Sequence, residues 1–304
     1  MNTVQNLRSI FIALILICVP FAVQAEEYTF QFQRVLDVTN PVTLNLGLEV
    51  GSVEVYGTEG QQITIDAVKR IGATNASEAE AVASYIEIKV EQDKKEVKVA
   101  TNYLRIPYRG QSFWQRLLGW GEDSFGSVDY KIGLPIGCSI SITALDAQVL
   151  VSGVQGAVNV QIAAGATTGE FIFGPVTIRQ PVGNISLDAI EGDIRIKSSK
   201  SDILIGQALG AMDIISNTGN IMIKSELETA RTSYIETTTG TITFMVPPSA
   251  AAQFTIQTET GEIASDLPLS IKSLARNRLV GEIGEGGTSV QLHSSTGDVK
   301  VQFY

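Results

Sequence analysis

Carboxylates are the side chains in this sequence whose grouping could support chemistry. Five of them recur within one stretch of the chain: Asp188, Glu191, Asp193, Asp202 and Asp213. Glycoside hydrolysis needs two carboxyl groups about 5 to 9.5 Å apart, one of them with a raised pKa. These acids lie beside turn-forming residues, where water solvates charge, so the pattern favours a solvated row over an active site. Weak Ca²⁺ binding is a further possibility, although the chain has no EF-hand and no Gly-Asp calcium nonapeptide.

His293 and Cys138 are the other candidates for catalysis. A catalytic triad needs a nucleophile beside its base, and the chain has no Gly-x-Ser-x-Gly turn. Cys138 falls at an alternating position of a predicted strand around 134–142, which indicates a buried thiol. Two Cys and one His cannot build a Cys/His zinc module. The sequence therefore predicts no catalytic residues, no metal site and no cofactor, and it favours a protein that is not an enzyme.

Residues 103–125 form an aromatic insertion that departs from the acidic character of the chain. The segment holds both Trp residues of the protein and three Arg residues. Aromatic and Arg side chains dominate the energetics of protein interfaces, and a Trp-bearing helix with Arg can also lie on a membrane surface. The predicted contact residues are Phe113, Trp114, Arg116 and Trp120. The alternative is that the insertion packs on its own chain and hides an open strand edge or an outer apolar strip.

The charge balance and the N-terminal segment bear on the location of the protein. Lys and Arg number 22 against 32 Asp and Glu, a net charge of -10, which argues against a nucleic-acid partner. Residues 1–25 have the form of a secretory signal peptide, with Arg8, an apolar run at 10–19 and a small-residue cleavage site ending at Ala25. The apolar run is too short to remain as a spanning helix, which needs about 20 residues. Cleavage after Ala25 removes one Arg, so the mature chain has a charge of -11.

A nine-residue repeat organises the chain from residue 147 onward. A small residue stands at every ninth position, and apolar residues follow it at the second and fourth positions. The steps are Ala147, Gly156, Gly165, Gly174, Gly183, Gly192, Ser201, Gly210 and Gly219. Side chains on a strand alternate between faces, so each unit predicts a corner followed by a short strand with one apolar face. Stacked units would bury a shared core, which predicts a β-solenoid with two or three strands per coil.

If each coil contains two of these units, the coil repeats every 18 residues. Outward-facing residues that are 18 positions apart would then stack in one strip along the outside of the solenoid. That strip would contain Leu150, Thr168, Ser186, Leu204 and Met222. A partly apolar strip of this kind is the surface that the aromatic insertion would cover if it packs on its own chain.

A second motif, [Ser/Thr]-x-Thr-Gly-x-[Ile/Val], occurs four times near the C-terminus. Its copies begin at Ser216, Thr237, Thr258 and Ser294, with spacings of 21, 21 and 36. The hydroxyl groups are expected to hydrogen-bond turn amides, once per coil. The extra residues of the last interval, which include Pro268, Lys272 and Arg276, predict an excursion from the solenoid near its C-terminal end.

The sequence pattern divides the mature chain into two parts. Residues 26–135 form a β-rich N-terminal part that contains the aromatic insertion. Ser77-Glu-Ala-Glu80 has the pattern of a capping box and predicts one short helix over about 77–84. Residues 136–304 form the regular β-solenoid. The predicted fold class is therefore all-β, a β-solenoid with one short helix in the N-terminal third.

The Gly-x-[Ile/Val]-x-[Ile/Val] repeat, the Thr-Gly copies and Ile132-Gly-Leu-Pro135 resemble the bacterial putative-adhesin family. The resemblance covers roughly residues 40–304 and is clearest from about 128 onward. The family consists of exported β-solenoid domains without an established function, similar to the head domains of auto-transporter-type surface proteins. The resemblance implies the fold and an envelope or surface location, and it supplies no catalytic residue.

These observations lead to two functional hypotheses. The first is an exported, non-catalytic β-solenoid that acts as an adhesin-like or scaffold protein in the periplasm, the cell envelope or outside the cell. Its partner would be a protein or glycan of the envelope or surface, and the mature chain would have no transmembrane span. The second hypothesis is a carbohydrate-active β-helix enzyme, a lyase or glycosidase, that uses the surface carboxylates.

Overall fold

The architecture is that of a computed structural model, which describes residues 26–39, 41–104, 126–227 and 231–304. Its described residues form 23 strands and one helix, α1 (Ala76–Tyr85). The strands in chain order are β1 (Glu26–Asp37), β2 (Thr43–Gly47), β3 (Val50–Thr58), β4 (Gln62–Ala73), β5 (Ile86–Gln92), β6 (Glu96–Tyr103), β7 (Ser127–Pro135), β8 (Ser139–Ser152), β9 (Val158–Ile172), β10 (Val176–Arg179), β11 (Ile185–Glu191), β12 (Ile194–Lys200), β13 (Ile203–Leu209), β14 (Met212–Thr218), β15 (Ile221–Ser225), β16 (Thr232–Thr239), β17 (Ile242–Val246), β18 (Ala252–Thr260), β19 (Ile263–Ser265), β20 (Ser270–Ala275), β21 (Arg278–Ile283), β22 (Thr288–Thr296) and β23 (Val299–Phe303).

The strands stack in two ladders that face each other across a shared core. Ladder A consists, in spatial order, of β5, β6, β2, the first part of β8 and of β9, β10, β12, β14, β16, β22, β18, β21 and β20. Ladder B consists of β1, β4, β7, β3, the second part of β8 and of β9, β11, β13, β15, β17, β23 and β19. The predicted all-β solenoid with one short helix is confirmed.

Each regular coil contains two strands and 18 residues, the sequence separation of the stacked side chains Ser141 and Asn159. Strand β10 lies between the first part of β9 and β12 in ladder A, whereas β11 lies between the second part of β9 and β13 in ladder B. The next coil lengthens to 21 residues, the separation of Asn220 and Thr241 at one corner. Two strands per coil is therefore the arrangement, and the three-strand alternative is excluded for this region.

The core consists of aliphatic side chains from alternate positions of both ladders. Ile178, Ile196, Ile214 and Ile235 follow one another along ladder A and are at most 1% exposed. Each fully buried side chain of this type contributes about 1.5 to 3 kcal/mol of transfer free energy. The apolar face predicted from the repeat is therefore the face that stabilises the stack.

The coil at the C-terminus of the chain is not at the end of the solenoid. Strand β22 lies between β16 and β18, and β23 lies between β17 and β19. The coil formed by β18 and β19 is thus the terminal one, although it precedes β22 in the sequence. The expected excursion over the last interval is instead a pair of antiparallel strands, β21 and β20, that extends ladder A beyond β18.

Antiparallel strands and the helix close the N-terminal end. Strands β4 and β1 extend ladder B beyond β7, and β5 extends ladder A beyond β6. Between the ladders the Tyr130 hydroxyl lies 2.6 Å from the Thr101 hydroxyl, and burial raises the pKa of Tyr130 to about 12. Both hydroxyl groups are therefore satisfied inside an otherwise apolar region.

The N-cap of the helix lies two residues before the predicted one. Asn75, not Ser77, is the N-cap, and its side-chain oxygen accepts a hydrogen bond of 2.9 Å from the Glu78 backbone N–H. The Glu78 carboxylate in turn accepts one of 3.1 Å from the backbone N–H of Thr74. The capping-box assignment to Ser77 and Glu80 was wrong, because Asn is as good an N-cap as Ser and stands where β4 has just ended.

Candidate binding surface

The corners of the coils use polar side chains to hold one coil to the next. The Asp193 carboxylate accepts a hydrogen bond of 3.1 Å from the backbone N–H of Ala211, and Asp202 accepts one of 2.8 Å from Asn220. The same contact recurs at other corners, where the acceptors are Ser139, Asn220 and Asp298. A carboxylate that accepts from a backbone N–H fulfils a structural role comparable to that of a helix N-cap.

The five carboxylates that suggested chemistry do not meet at one site. Asp193 precedes β12 on ladder A, whereas Asp202 precedes β13 on ladder B, so they occupy opposite corners of the coil. Asp213 lies on the outer face of ladder A, and Asp188 lies on ladder B beside Glu170 of the neighbouring strand. Among the described residues, no group of three or more His, Cys, Asp or Glu could hold a metal ion.

Glu191 and Asp193 do share one groove, at the corner between β11 and β12. This open groove has a volume of about 460 Å³ and is also lined by Leu209 and Arg231. The Arg231 guanidinium forms an ion pair with the Asp193 carboxylate. Asp193 is therefore engaged by both a backbone N–H and a guanidinium, which leaves Glu191 as the acid of the groove without a partner in the described part of the chain.

His293 and Cys138 lie in different parts of the solenoid and do not form a pair with each other. His293 lies on β22 within ladder A, with its Nδ1 atom 3.7 Å from Glu236 Oε1. Cys138 is 1% exposed, as predicted, and its Sγ atom accepts a weak hydrogen bond from the Val42 backbone N–H at 3.4 Å.

The Ser/Thr residues that begin the Thr-Gly copies are buried and face the core side of their corner. Thr258 Oγ1 donates to the Gly297 carbonyl at 2.9 Å, and Ser294 Oγ donates to the Gly240 carbonyl at 3.0 Å. The expected partners were turn amides; the partners are carbonyls, because the amides at these corners already bond to the next coil. The motif is therefore a structural element of the stack.

The outer face of ladder B carries the strip that two units per coil predicted. Leu150, Thr168, Ser186, Leu204 and Met222 are successive partners in the strand register. Leu204 is 48% exposed and Met222 is 45% exposed. The strip is thus partly apolar and open along the described residues.

The outer face of ladder A carries a cluster of cations that is not among the predicted contact residues. Arg179 on β10 is the direct partner of Lys197 on β12, and Arg195 lies two residues before Lys197 on the same face. All three are exposed, and none of them forms an ion pair with a described residue. Arg179 and Lys197 are one full coil apart in the sequence, so the length of the coil decides that they are partners in the strand register. We call Arg179, Arg195 and Lys197 the cationic cluster.

The predicted contact residues Phe113, Trp114, Arg116 and Trp120 lie outside the described residues, as do residues 1–25. Tyr103 and Leu104, the first two residues of the insertion, are described, and Gly126 is the first described residue after it; all three belong to the N-terminal end of the solenoid. No helix in the described ranges is long and apolar enough to cross a membrane.

A solenoid of two-stranded coils, with side chains at its corners that bind the next coil, is the class of protein that this fold defines. The chain belongs to the Toastrack DUF4097 family, whose sequence profile matches residues 43–302. The resemblance drawn from the repeat is thereby confirmed. The comparison with curated proteins gives no match.

Several solved structures are similar to this chain at low sequence identity. One is a putative adhesin from Bacteroides fragilis, 11% identical, covering 90% of this chain and 97% of that chain with a TM-score of 0.48. Another is a putative cell adhesion protein from Clostridium sporogenes, 12% identical, covering 91% and 100% with a TM-score of 0.28. A putative lipid binding protein from Parabacteroides distasonis is 10% identical and covers 89% and 96% with a TM-score of 0.33. At this level of similarity they decide neither ligand nor activity.

Proposed function

We propose that the protein is an exported, non-catalytic solenoid that binds a component of the cell envelope or surface, as an adhesin-like or scaffold protein. The observation that carries the proposal is the use of the corner carboxylates. Asp193 and Asp202, the acids that a hydrolytic mechanism would need, bind backbone amides of the next coil from opposite corners. The broad outer faces of the two ladders then remain as the surfaces for function.

Export rests on the signal-peptide pattern of residues 1–25. The mature protein would begin at Glu26, the first residue of β1. Mass spectrometry of the protein purified from the envelope or culture medium tests this directly. A mature N-terminus at Glu26 supports the proposal, and an intact Met1 in the cytoplasmic fraction overturns it.

The aromatic insertion is the proposed contact segment, through Phe113, Trp114, Arg116 and Trp120. Trp side chains provide a large contact area, which is why they are common at the energetic centre of interfaces. Replacement of Trp114 and Trp120 by Ala tests this role in two measurements, thermal stability and association with isolated envelopes. Lost association with unchanged stability supports a contact segment. Lost stability with unchanged association assigns the segment to packing on its own solenoid.

The rival function is a carbohydrate-active enzyme that uses the carboxylates. Screening the mature protein against polysaccharides, with detection of reducing ends or unsaturated products, separates the two functions. No turnover is expected. Turnover abolished by Asp193→Asn or Asp202→Asn, with the fold retained by circular dichroism, would overturn the non-catalytic proposal.

A further inference from the structure

The cationic cluster lies at a position where the fold disfavours it. Arg179 and Lys197 face each other across neighbouring strands, and like charges placed directly opposite destabilise a sheet. The chain has 32 acidic residues, yet none of the described ones forms an ion pair with the cluster. Asp213 is the register partner of Arg195 without pairing to it, and Asp193 is already bound by Arg231. A cluster of cations that forms no ion pair with any described carboxylate, in an acidic protein, points to an anion from outside.

Uncharged polar side chains extend the same face from the cluster toward the N-terminal end. One row of register partners contains Ser141, Asn159 and Thr177, and a parallel row contains Thr143, Gln161 and Arg179. Neighbouring strands are about 4.8 Å apart, so both rows present hydroxyl or amide groups at a constant interval along the solenoid axis. One internal contact, Asn159 Nδ2 to Ser141 Oγ at 3.3 Å, leaves most of this capacity directed outward.

We propose that this face of ladder A, over β8, β9, β10 and β12, binds an anionic polysaccharide. The proposal rests on the proposed function, since an exported binding protein meets such polymers in the envelope. The cations would pair with carboxylate, phosphate or sulfate groups of the polymer, and the rows of hydroxyl and amide groups would hydrogen-bond its sugar hydroxyls.

The flat geometry of the face favours a polymer over the other anionic ligands. A small phosphate ion is held by convergent donors in a concavity, whereas these side chains stand side by side on a sheet. A lipid surface would need several large apolar side chains next to the cations; Ile215 lies beside Lys197 on the C-terminal side, whereas the rows on the N-terminal side are hydroxyl and amide side chains. A linear polymer lying along the solenoid axis meets equivalent groups on each successive strand.

The test measures the affinity of mature protein 26–304 for polygalacturonate, a linear carboxylated polysaccharide, with neutral dextran as the uncharged control. The variant carries Arg179→Gln, Arg195→Gln and Lys197→Gln. The matched control carries Lys94→Gln, Lys95→Gln and Lys98→Gln, which removes the same charge. Lys98 lies on the outer face of the same ladder, on β6, and the three lysines form no ion pair within the described residues. Circular dichroism confirms that both variants fold.

The expected result is binding to polygalacturonate and not to dextran, weakened about tenfold or more by the cluster variant and about twofold or less by the control. Binding should also weaken between about 0.1 M and 1 M salt, where the screening length falls from about 10 Å to 3 Å. If the affinity for polygalacturonate falls equally in the two variants, the net charge of the protein explains the binding, and the proposal is overturned. Stronger binding to phosphatidylglycerol vesicles or to single-stranded DNA than to polygalacturonate would also overturn it.

A second arm separates this proposal from the proposed function. Association of the same variants with isolated envelopes is measured in parallel. If the cluster variant associates as well as the wild type, the polysaccharide site is refuted while the envelope-binding function stands. If the wild type does not associate at all, the proposed function itself fails.

Discussion

Replacement of Gly219 by Ala should separate backbone strain from coil-to-coil crowding at a corner of the solenoid. Gly219 has a φ of +130°, and a Cβ atom there would lie 1.9 Å from the Ser201 carbonyl oxygen of the preceding coil. Carbon and oxygen atoms in contact are normally at least about 3.3 Å apart, so the coils would have to separate by more than about 1 Å. That movement weakens the hydrogen bonds Ser201 N–H to Thr218 O and Gly219 N–H to Thr239 O, of 2.9 and 3.0 Å.

Gly60 provides a matched control for this substitution. It has nearly the same φ, +127°, and no atom within 4 Å of the position of a Cβ. Backbone strain costs about 1 to 2 kcal/mol for Ala at either position, and the stiffer unfolded chain returns about 0.4 to 1 kcal/mol. The two weakened hydrogen bonds and the displaced coil add about 2 kcal/mol or more at Gly219 alone.

The expected destabilisation is thus about 1 kcal/mol for Gly60→Ala and about 3 kcal/mol or more for Gly219→Ala. Thermal unfolding followed by circular dichroism should show a Tm lowered by about 2 to 4 °C and by about 6 °C or more, respectively. Equal shifts for the two variants would refute the argument that the corner glycine is needed because the next coil passes so close.

Charge and burial underlie three further predictions. Burial raises the pKa of Tyr130 to about 12, so the folded state keeps the Tyr130 hydroxyl protonated at pH values where the unfolded chain loses the proton. The contribution of Tyr130 to the free energy of unfolding is therefore complete below about pH 10 and is lost as the pH rises toward 12. Urea titrations should show a smaller loss of stability over this pH range for Tyr130→Phe. Lys197→Gln relieves the repulsion with Arg179 and should raise the free energy of unfolding by about 0.2 to 1 kcal/mol, whereas a lower value would contradict the unpaired arrangement. Gln180 is fully buried and accepts a hydrogen bond of 2.7 Å from Thr167, so Gln180→Ala should cost about 1 to 3 kcal/mol in the same assay, and an unchanged midpoint would contradict that role.

The local features of the solenoid could be predicted from the sequence because they depend on near neighbours. A small residue such as Gly192 permits a corner, and the short-range alternation of apolar and polar residues assigns Ile194 and Ile196 to the core. The two-unit coil also predicted the outer strip that contains Leu204 and Met222, because the spacing of 18 residues between them equals one coil.

The order of the last coils could not be predicted, because it depends on pairing between distant segments. The Thr-Gly copies at Gly261 and Gly297 look equivalent in sequence, and nothing in their spacing indicates that the later coil inserts before the earlier one. The cationic cluster, in contrast, follows from the same 18-residue coil that predicts the strip, once that spacing is applied to positions 179 and 197. Arg179 and Lys197 are ordinary surface residues in the sequence, and they form a pair only through the strand register.

The most direct test of the central claim is equilibrium binding of the mature protein to isolated cell envelopes, with the soluble products analysed in the same samples. The account predicts saturable binding that salt weakens, with the bound polysaccharide recovered intact. The variant with Arg179→Gln, Arg195→Gln and Lys197→Gln should bind the envelopes with lower affinity than the wild type. Non-saturable association, or the release of cleaved polysaccharide by the protein, would contradict the account of a non-catalytic binding solenoid.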